Sequence, residues 1–116
     1  MELFLQQNNN KKQLINLTVK PAHSFLSRLR GLLGTTSIAE NASLWIKPCT
    51  SIHMFGMLYS IDVVFLTENN EINKIATGVM PFGFSNGPKG TASVLEMKKG
   101  AAERLNFKVG DRLVFE

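Results

Sequence analysis

The stretch that most constrains the fold is SIDVVFLTENNEINKIATGV, residues 60–79. Two apolar runs flank Asn69-Asn70, and asparagine tolerates the left-handed backbone angles that a tight two-residue turn requires. The stretch therefore predicts a β-hairpin. Gly78 predicts a bulge or an irregular end in the second strand, because a glycine inside a strand commonly marks such a site.

Short apolar runs separated by turn residues continue along the rest of the chain. ELFLQ and QLINLTV flank the polar turn QNNNKK and predict a second hairpin, and further strands are predicted at ASLWIKP, TSIHM, ASVLEMK and VGDRLVFE. Helical spacing of apolar residues occurs in PAHSFLSRLRGLLG, with Pro21 in its first turn and Gly34 at its end, and a second short helix is predicted in KKGAAERLNF. Seven or eight strands with two short helices predict a mainly β fold: a small, mostly antiparallel β-sandwich or jelly-roll-like open barrel.

Composition limits the class of protein. The chain has 116 residues, of which 44% are hydrophobic and 19% charged, as expected of one globular domain. Its single cysteine excludes an internal disulfide framework and a zinc site made of several cysteines. MELFLQQNNNKK lacks the basic region of a signal peptide, and no apolar run is long enough to cross a bilayer. We therefore expect a cytoplasmic protein with no membrane association.

The net charge of +4 is unevenly distributed. Residues 1–60 contain six basic and two acidic residues, whereas residues 61–116 contain seven of each. An anionic partner is therefore expected to dock on the first half, although a solvated basic surface explains the same distribution. Nucleic-acid binding is not favoured, because it usually requires denser basic clusters with interleaved aromatic residues.

CTSIHMFGMLYSIDVVFL, residues 49–66, contains the residues most able to carry chemistry. Cys49 and His53 would lie about 13 Å apart on a regular strand, whereas a nucleophile and its base must approach to about 3 Å. Cys49 is therefore predicted to be a small buried hydrophobe, and Met54 and Met57 to fill the core. One histidine, one aspartate and one cysteine at this spacing match no standard metal-ligand set, so no metal is predicted.

His53 and Asp62 form the better pair. If FGMLYS joins two adjacent antiparallel strands, these side chains lie opposite or diagonal to each other, and the carboxylate would orient the imidazole and raise its pKa. Asp62 also shares a strand face with apolar residues, so it requires a partner: His53, an arginine, or backbone N–H groups. Glu96 is the other acid in an apolar context and a candidate partner for Arg28 or Arg30, which flank the apolar stripe of the first predicted helix.

MPFGFSNGPKGT, residues 80–91, is the longest irregular segment. Phe82 and Phe84 are predicted to anchor this segment to the core, and the alternative is that they line a lid over a site.

Taken together, SRLRGLLG, PCTSIHMFGMLYSIDVVFL, ASVLEM and KGAAERLNFKVGDRLVF resemble the DUF192 family of uncharacterised bacterial and archaeal proteins, from about Ser24 to Glu116. The resemblance implies a compact β-sandwich with a jelly-roll-like core, and it brings no established reaction, substrate or cofactor. Residues 1–20 are interpreted as an added N-terminal edge hairpin and residues 21–116 as the DUF192-like domain. The family's signature positions fall on Arg30, Gly31, Leu32, His53, Met57, Asp62, Leu95, Glu96, Gly100, Gly110 and Asp111.

Two functional hypotheses remain open, with nucleic-acid binding as a third alternative. The first is a binding module in which a set of polar side chains holds a small polar or anionic ligand or a protein partner: Arg30, His53, Asp62 and Glu96. The second is an enzyme of the hydrolase or isomerase type that uses His53 and Asp62 as a general acid–base couple. No cofactor is predicted, and a monomer or weak homo-oligomer is expected.

Overall fold

The computed structural model describes residues 1–7, 11–22, 38–54 and 58–116, with His53 placed by its backbone alone. Along the described chain the strands are β1 (Leu3–Gln6), β2 (Lys12–Ile15), β3 (Thr18–Ala22), β4 (Ala42–Ile46), β5 (Ser51–His53), β6 (Ile61–Thr67), β7 (Ile72–Val79), β8 (Phe84–Asn86), β9 (Thr91–Lys98) and β10 (Arg112–Phe115). A four-residue helix, α1 (Ala101–Arg104), lies between β9 and β10. The predicted mainly β fold with antiparallel sheets is confirmed.

The strands form three sheets. A large sheet has the order β3-β4-β9-β6-β7, a small sheet has the order β10-β1-β2, and β5 and β8 form a two-stranded ribbon. Among these described strands, all pairings are antiparallel except that between β3 and β4. The sheets pack as an open sandwich, as expected for β layers that each bury one apolar face.

The N-terminal hairpin of β1 and β2 is confirmed, but only β2 lies at the edge of its sheet. β1 is the central strand and pairs with β10 as well as β2. Leu3 and Leu5 on β1 are almost fully buried in the core. The predicted edge hairpin therefore helps to form the small sheet of the sandwich.

The hairpin of β6 and β7 is also confirmed. Asn70 has a φ of +61° in the connecting turn, as its side-chain type permits. The condition for a pair of His53 and Asp62, that β5 and β6 be adjacent antiparallel strands, is not met, because β5 pairs with β8 while β6 lies between β9 and β7. The short β5 has its buried Ile52 against the large sheet, so it lies above that sheet instead of extending it.

One of the two predicted helices is present as α1. Pro21, predicted to lie in the first turn of the other, is part of β3. Because β3 is an edge strand, the missing N–H of proline is tolerated there. The remainder of that predicted helix lies outside the described residues.

The two faces of the large sheet bury different clusters, and we name each face after its acid. The Asp62 face packs against the small sheet and α1 through Val64, Leu66, Leu95, Met97, Leu3, Leu113 and Ala102. The Glu96 face packs against β5 through Leu44, Ile46, Val63, Phe65, Val94, Ile52 and Met54. Met54 is thus a core residue, as predicted, and Met57 lies outside the described part of the chain.

Candidate functional site

Asp62 is fully buried in β6, and its carboxylate accepts three backbone hydrogen bonds. Oδ1 accepts from the N–H of Gly78 at 2.9 Å, and Oδ2 accepts from the N–H groups of Gly100 at 2.9 Å and Ala102 at 3.1 Å. One side chain therefore fastens β7 and the start of α1 to β6, an inner strand of the large sheet. The sequence left three kinds of partner open for Asp62, and the partners that the structure shows are backbone N–H groups.

The contact with Gly78 explains the predicted irregularity in β7. The register between β6 and β7 shifts between Ile61 and Val63, opposite Gly78. Gly78 has a φ of +59°, a left-handed conformation that glycine adopts without the steric penalty of a Cβ. The bulge turns its N–H toward Asp62.

This arrangement does not support an acid–base couple of His53 and Asp62. The cross-strand pairing on which the couple depended does not occur, because residue 53 in β5 pairs with Phe84 in β8. Asp62 has no exposed surface, so a substrate cannot reach its carboxylate without moving the surrounding backbone.

Glu96 lies on the opposite face of the large sheet from Asp62. In the register, Glu96 is opposite Val63 and Leu44, whereas Asp62 is opposite Met97, the residue after Glu96. Successive side chains of a strand point to opposite faces, so the two carboxylates are separated by the sheet. The predicted binding set is thereby divided: Asp62 and Glu96 cannot line one pocket, and Arg30 lies outside the described residues.

The Glu96 side chain is only 7% exposed. Burial raises the pKa of its carboxyl from the ordinary value of 4.5 to about 7. Within the described ranges, no hydrogen bond or ion pair reaches this carboxyl, and the predicted partners Arg28 and Arg30 lie outside those ranges. Glu96 is thus a buried acid able to change its protonation near neutral pH. Its binding role stays a prediction.

A second unusual feature is the turn Met80-Pro81-Phe82-Gly83, which directly precedes β8. We call it the Phe82 turn. The N–H of Gly83 donates to the carbonyl of Met80 at 2.8 Å, and Phe82 has a φ of +64°. Proline followed by a residue with positive φ is the pattern of a type II turn, whose third position normally holds glycine or asparagine. A phenylalanine there costs about 1 to 3 kcal/mol in backbone strain.

The surrounding backbone holds the Phe82 turn in this conformation. The N–H of Phe82 donates to the carbonyl of Met54 at 3.0 Å, and the N–H of Met54 donates to the carbonyl of Gly83 at 2.9 Å. Met54 is 1% exposed, so the turn is fastened to a core residue. At Gly83 a Cβ would lie 2.7 Å from the carbonyl oxygen of Met80, which leaves no room for a side chain.

The side chains that the turn and β8 present are exposed. Met80 is 68% exposed, Phe82 75% and Phe84 58%, and we call these three residues the apolar strip. The prediction that Phe82 and Phe84 anchor the segment to the core is wrong. Ser85 is the buried residue of β8, so the strand alternation directs Phe84 outward.

Cys49 is partly buried and packs against the core of the Glu96 face. It is therefore less deeply buried than the small buried hydrophobe that the sequence predicts. Its thiol donates to the carbonyl of Ser51 at 3.1 Å. Among the described residues, no three histidine, cysteine or acidic side chains cluster as metal ligands would. The described part of the chain also contains no helix of the length and hydropathy required to cross a membrane.

Comparison with known proteins identifies the family. The family model of DUF192, described as Uncharacterized ACR, matches residues 5–115. The chain belongs to the DUF192 family. A UPF0127 protein of Thermococcus sibiricus is 33% identical over 114 residues, which cover 94% of this chain and 73% of the relative. A UPF0127 protein of Pyrococcus furiosus is 29% identical over 111 residues, covering 91% of this chain and 93% of the relative.

Two solved structures share the DUF192 fold seen here. A protein of unknown function from Novosphingobium aromaticivorans superposes with a TM-score of 0.82 at 18% identity, covering 98% of this chain and 84% of its own. A candidate transcription regulator from Sinorhizobium meliloti superposes with a TM-score of 0.83 at 23% identity, covering 97% of this chain and 91% of its own. At these identities the likeness concerns the fold alone.

Proposed function

We propose that this DUF192 protein is a binding domain that recognises a protein partner through the apolar strip of Met80, Phe82 and Phe84. The observation that carries the proposal is Phe82 itself, which combines a strained left-handed backbone with a side chain that is 75% exposed. The left-handed backbone disfavours phenylalanine at this position, and its side chain lies outside the core. Strained residues that the fold holds in place are concentrated at binding and catalytic sites.

The form of the strip supports recognition of another protein. Large exposed apolar side chains that lie together commonly mark interaction surfaces, and aromatic residues and methionine are enriched at the centres of interfaces. The backbone bonds to Met54 hold the Phe82 turn in place before any partner arrives. A pre-organised turn loses little conformational entropy on binding, which favours affinity.

A pull-down with paired surface variants tests the proposal. The bait is the whole chain, as wild type, as the double variant Phe82→Ser/Phe84→Ser, and as Leu14→Ser. Leu14 is the matched control because it is 60% exposed on β2, in the other sheet of the sandwich. We expect a partner that wild type and Leu14→Ser retain and the double variant loses. Equal retention by all three baits would contradict the proposal.

A second candidate function is binding of a small polar ligand at Glu96. The observation that favours it is the buried carboxyl, which has a raised pKa and no described hydrogen-bond partner. Such a group often belongs to a binding site. A thermal-shift panel of amines, sugars, nucleotides and carboxylates tests this candidate. It requires a rise in melting temperature with wild type that Glu96→Gln lacks, and equal responses of the two proteins would exclude Glu96 as the site.

A further inference from the structure

The segment that carries the apolar strip, between Glu71 and Glu103, is rich in lysine. Residues 72–102 contain four lysines and one acid, Glu96. The acid is 7% exposed, and burial raises its pKa to about 7, so it offsets little of the positive charge near neutral pH. Basic charge is therefore concentrated in this region, although the second half of the chain is balanced as a whole.

The fold places two of these lysines near the start of the strip. Lys98 pairs with Ile61, and Ile61 pairs on its other side with Val79, the residue before Met80. The side chain of Lys99 covers Gly78, where a Cβ would lie 3.4 Å from the Lys99 Cε. Lys99 thus lies against the end of β7 that leads into the Phe82 turn, and Lys98 lies two strands away from Val79 in the sheet.

The other two lysines lie near the end of the strip. The Nζ of Lys74 donates to the carbonyl of Asn86, the last residue of β8, at 2.8 Å. Lys89 belongs to the turn after β8 that closes with the N–H of Thr91 donating to the carbonyl of Pro88 at 3.1 Å. The segment from Met80 to Asn86 spans at most about 20 Å at the rise of an extended strand. Lys99 therefore lies by the start of the apolar strip, and the ammonium group of Lys74 lies by its end.

We propose that the partner binds the apolar strip with an acidic segment, in which apolar side chains lie between aspartate or glutamate residues. This inference rests on the proposed function and names the chemistry of its partner. The apolar side chains of the segment cover Met80, Phe82 and Phe84, and its carboxylates approach the lysines at the two ends. Complementary charge at a rim accelerates association and excludes partners of the wrong sign, because like charges brought together are costly.

Titration of the isotope-labelled whole chain with synthetic peptides, followed by NMR, tests the inference. The first peptide has a Leu-Phe-Leu centre flanked by aspartates, the second has lysines in place of the aspartates, and the third has the aspartates with a Gly-Ser centre. We expect the first peptide to shift the backbone resonances of the Phe82 turn and β8, and the other two to leave them unchanged. The shifts should vanish in Phe82→Ser/Phe84→Ser and weaken as salt is added.

A charge-reversal pair provides the matched control. Lys98→Glu and Lys108→Glu change the net charge equally, but Lys108 lies in the turn before β10, outside the lysine-rich region. We expect Lys98→Glu to weaken binding of the first peptide roughly fivefold and Lys108→Glu to change it little. Equal weakening by both variants would mean that only net charge matters, and would overturn the inference.

The outcomes separate this inference from the proposed function. Binding of the lysine peptide at the strip, or no response to the aspartate peptide, would overturn the acidic partner. The proposed function would still stand if the pull-down partner were lost in Phe82→Ser/Phe84→Ser. Co-sedimentation of the protein with vesicles of anionic phospholipid, without a response to the aspartate peptide, would overturn the inference in favour of a membrane surface.

Discussion

Each face of the large sheet buries one acid, and the hydrogen bonding of the two acids differs. On the Asp62 face the carboxylate accepts three backbone N–H groups. On the Glu96 face the carboxyl has no described partner, and its pKa is raised to about 7. The acids lie on neighbouring strands and differ by one step in register, since Val63, the residue after Asp62, is opposite Glu96.

The contrast extends beyond the two acids. On the Asp62 face the indole Nε1 of Trp45 donates to the hydroxyl of Ser93 at 3.0 Å, and the Trp45 ring stacks on Phe115 with centroids 3.8 Å apart. Above the Glu96 face lie the strained Phe82 turn and the exposed apolar strip. Paired polar groups serve stability, whereas a buried acid without a partner among the described residues and a strained aromatic residue reduce it. The hydrogen bonds of the Asp62 face indicate a structural role, and the features on the Glu96 side are those on which the proposed recognition rests.

Asp62→Asn is expected to have the largest effect on stability. An amide group cannot accept the hydrogen bonds that both carboxylate oxygens accept, and its NH₂ would face a backbone donor. Leaving buried N–H groups unpaired should reduce the free energy of unfolding by about 3 to 4 kcal/mol. Urea denaturation measures this loss, and a loss below about 1 kcal/mol would contradict the structural role of Asp62.

Glu96→Gln, the same chemical change on the other face, is expected to increase stability above neutral pH. The folded-state pKa of about 7 exceeds the ordinary value of 4.5, so the folded protein retains a proton that the unfolded chain releases between these pH values. The free energy of unfolding of the wild type should therefore fall as pH rises from about 4.5 to about 7, by roughly 3 kcal/mol in total. Glutamine removes this penalty.

Urea denaturation of both proteins at about pH 5 and about pH 8 checks the prediction, because comparison of the two cancels the other titrating groups. The variant should match the wild type closely at the lower pH and exceed it at the higher. A variant that is less stable at both pH values would show that Glu96 has a stabilising partner. The contrast between the two faces would then fail.

Ser93→Ala should have an intermediate effect on the Asp62 face. Ser93 is fully buried, and its loss leaves the indole N–H of Trp45 without its acceptor in the core. We expect a destabilisation of about 1 to 2 kcal/mol, measured by urea denaturation. Ser85→Ala provides the comparison from β8, since Ser85 is also buried but belongs to the two-stranded ribbon and not to the large sheet that holds Trp45. If both changes lowered the free energy of unfolding equally, the hydrogen bond from Trp45 to Ser93 would contribute no more than any buried serine does.

Phe82→Gly should have the smallest effect on stability, and that effect is favourable. Glycine adopts a φ of +64° without the penalty that phenylalanine bears, although its greater freedom in the unfolded chain offsets part of the gain. We expect a net increase of about 0.5 to 1 kcal/mol in the free energy of unfolding, together with loss of the partner in the pull-down. A less stable variant would show that Phe82 stabilises the fold, and would remove the main argument for recognition.

Features with local causes could be predicted from the sequence. The Asn69-Asn70 turn, the strand formed by ASVLEMK, the short helix after Gly100 and the bulge at Gly78 all follow from residue type and short-range pattern. The family could also be inferred, because its motifs lie in order along the chain. Counting charges over residues 72–102 locates the lysine-rich region, whereas comparing residues 1–60 with residues 61–116 does not reveal it.

The composition of the site could not be predicted, because it depends on which strands pair. His53 was one of three partners left open for Asp62, and it required adjacent β5 and β6, yet β5 joins β8 in the ribbon. The division of Asp62 and Glu96 between two faces follows from a register that no local pattern specifies, since shifting a strand by one residue exchanges its faces. The exposure of Phe82 was missed because a phenylalanine is normally buried, and only the turn fastened to Met54 holds it at the surface.

The sequence by itself thus determined most of the strands and turns, since φ/ψ preference and apolar alternation act over a few residues. Only the tertiary structure decided which acid is paired, which is titratable and which aromatic side chain is presented. Those outcomes depend on contacts between residues far apart in the chain, such as the bond from the Gly100 N–H to Asp62. Their free energies are settled by the packing of whole sheets, which local sequence does not encode.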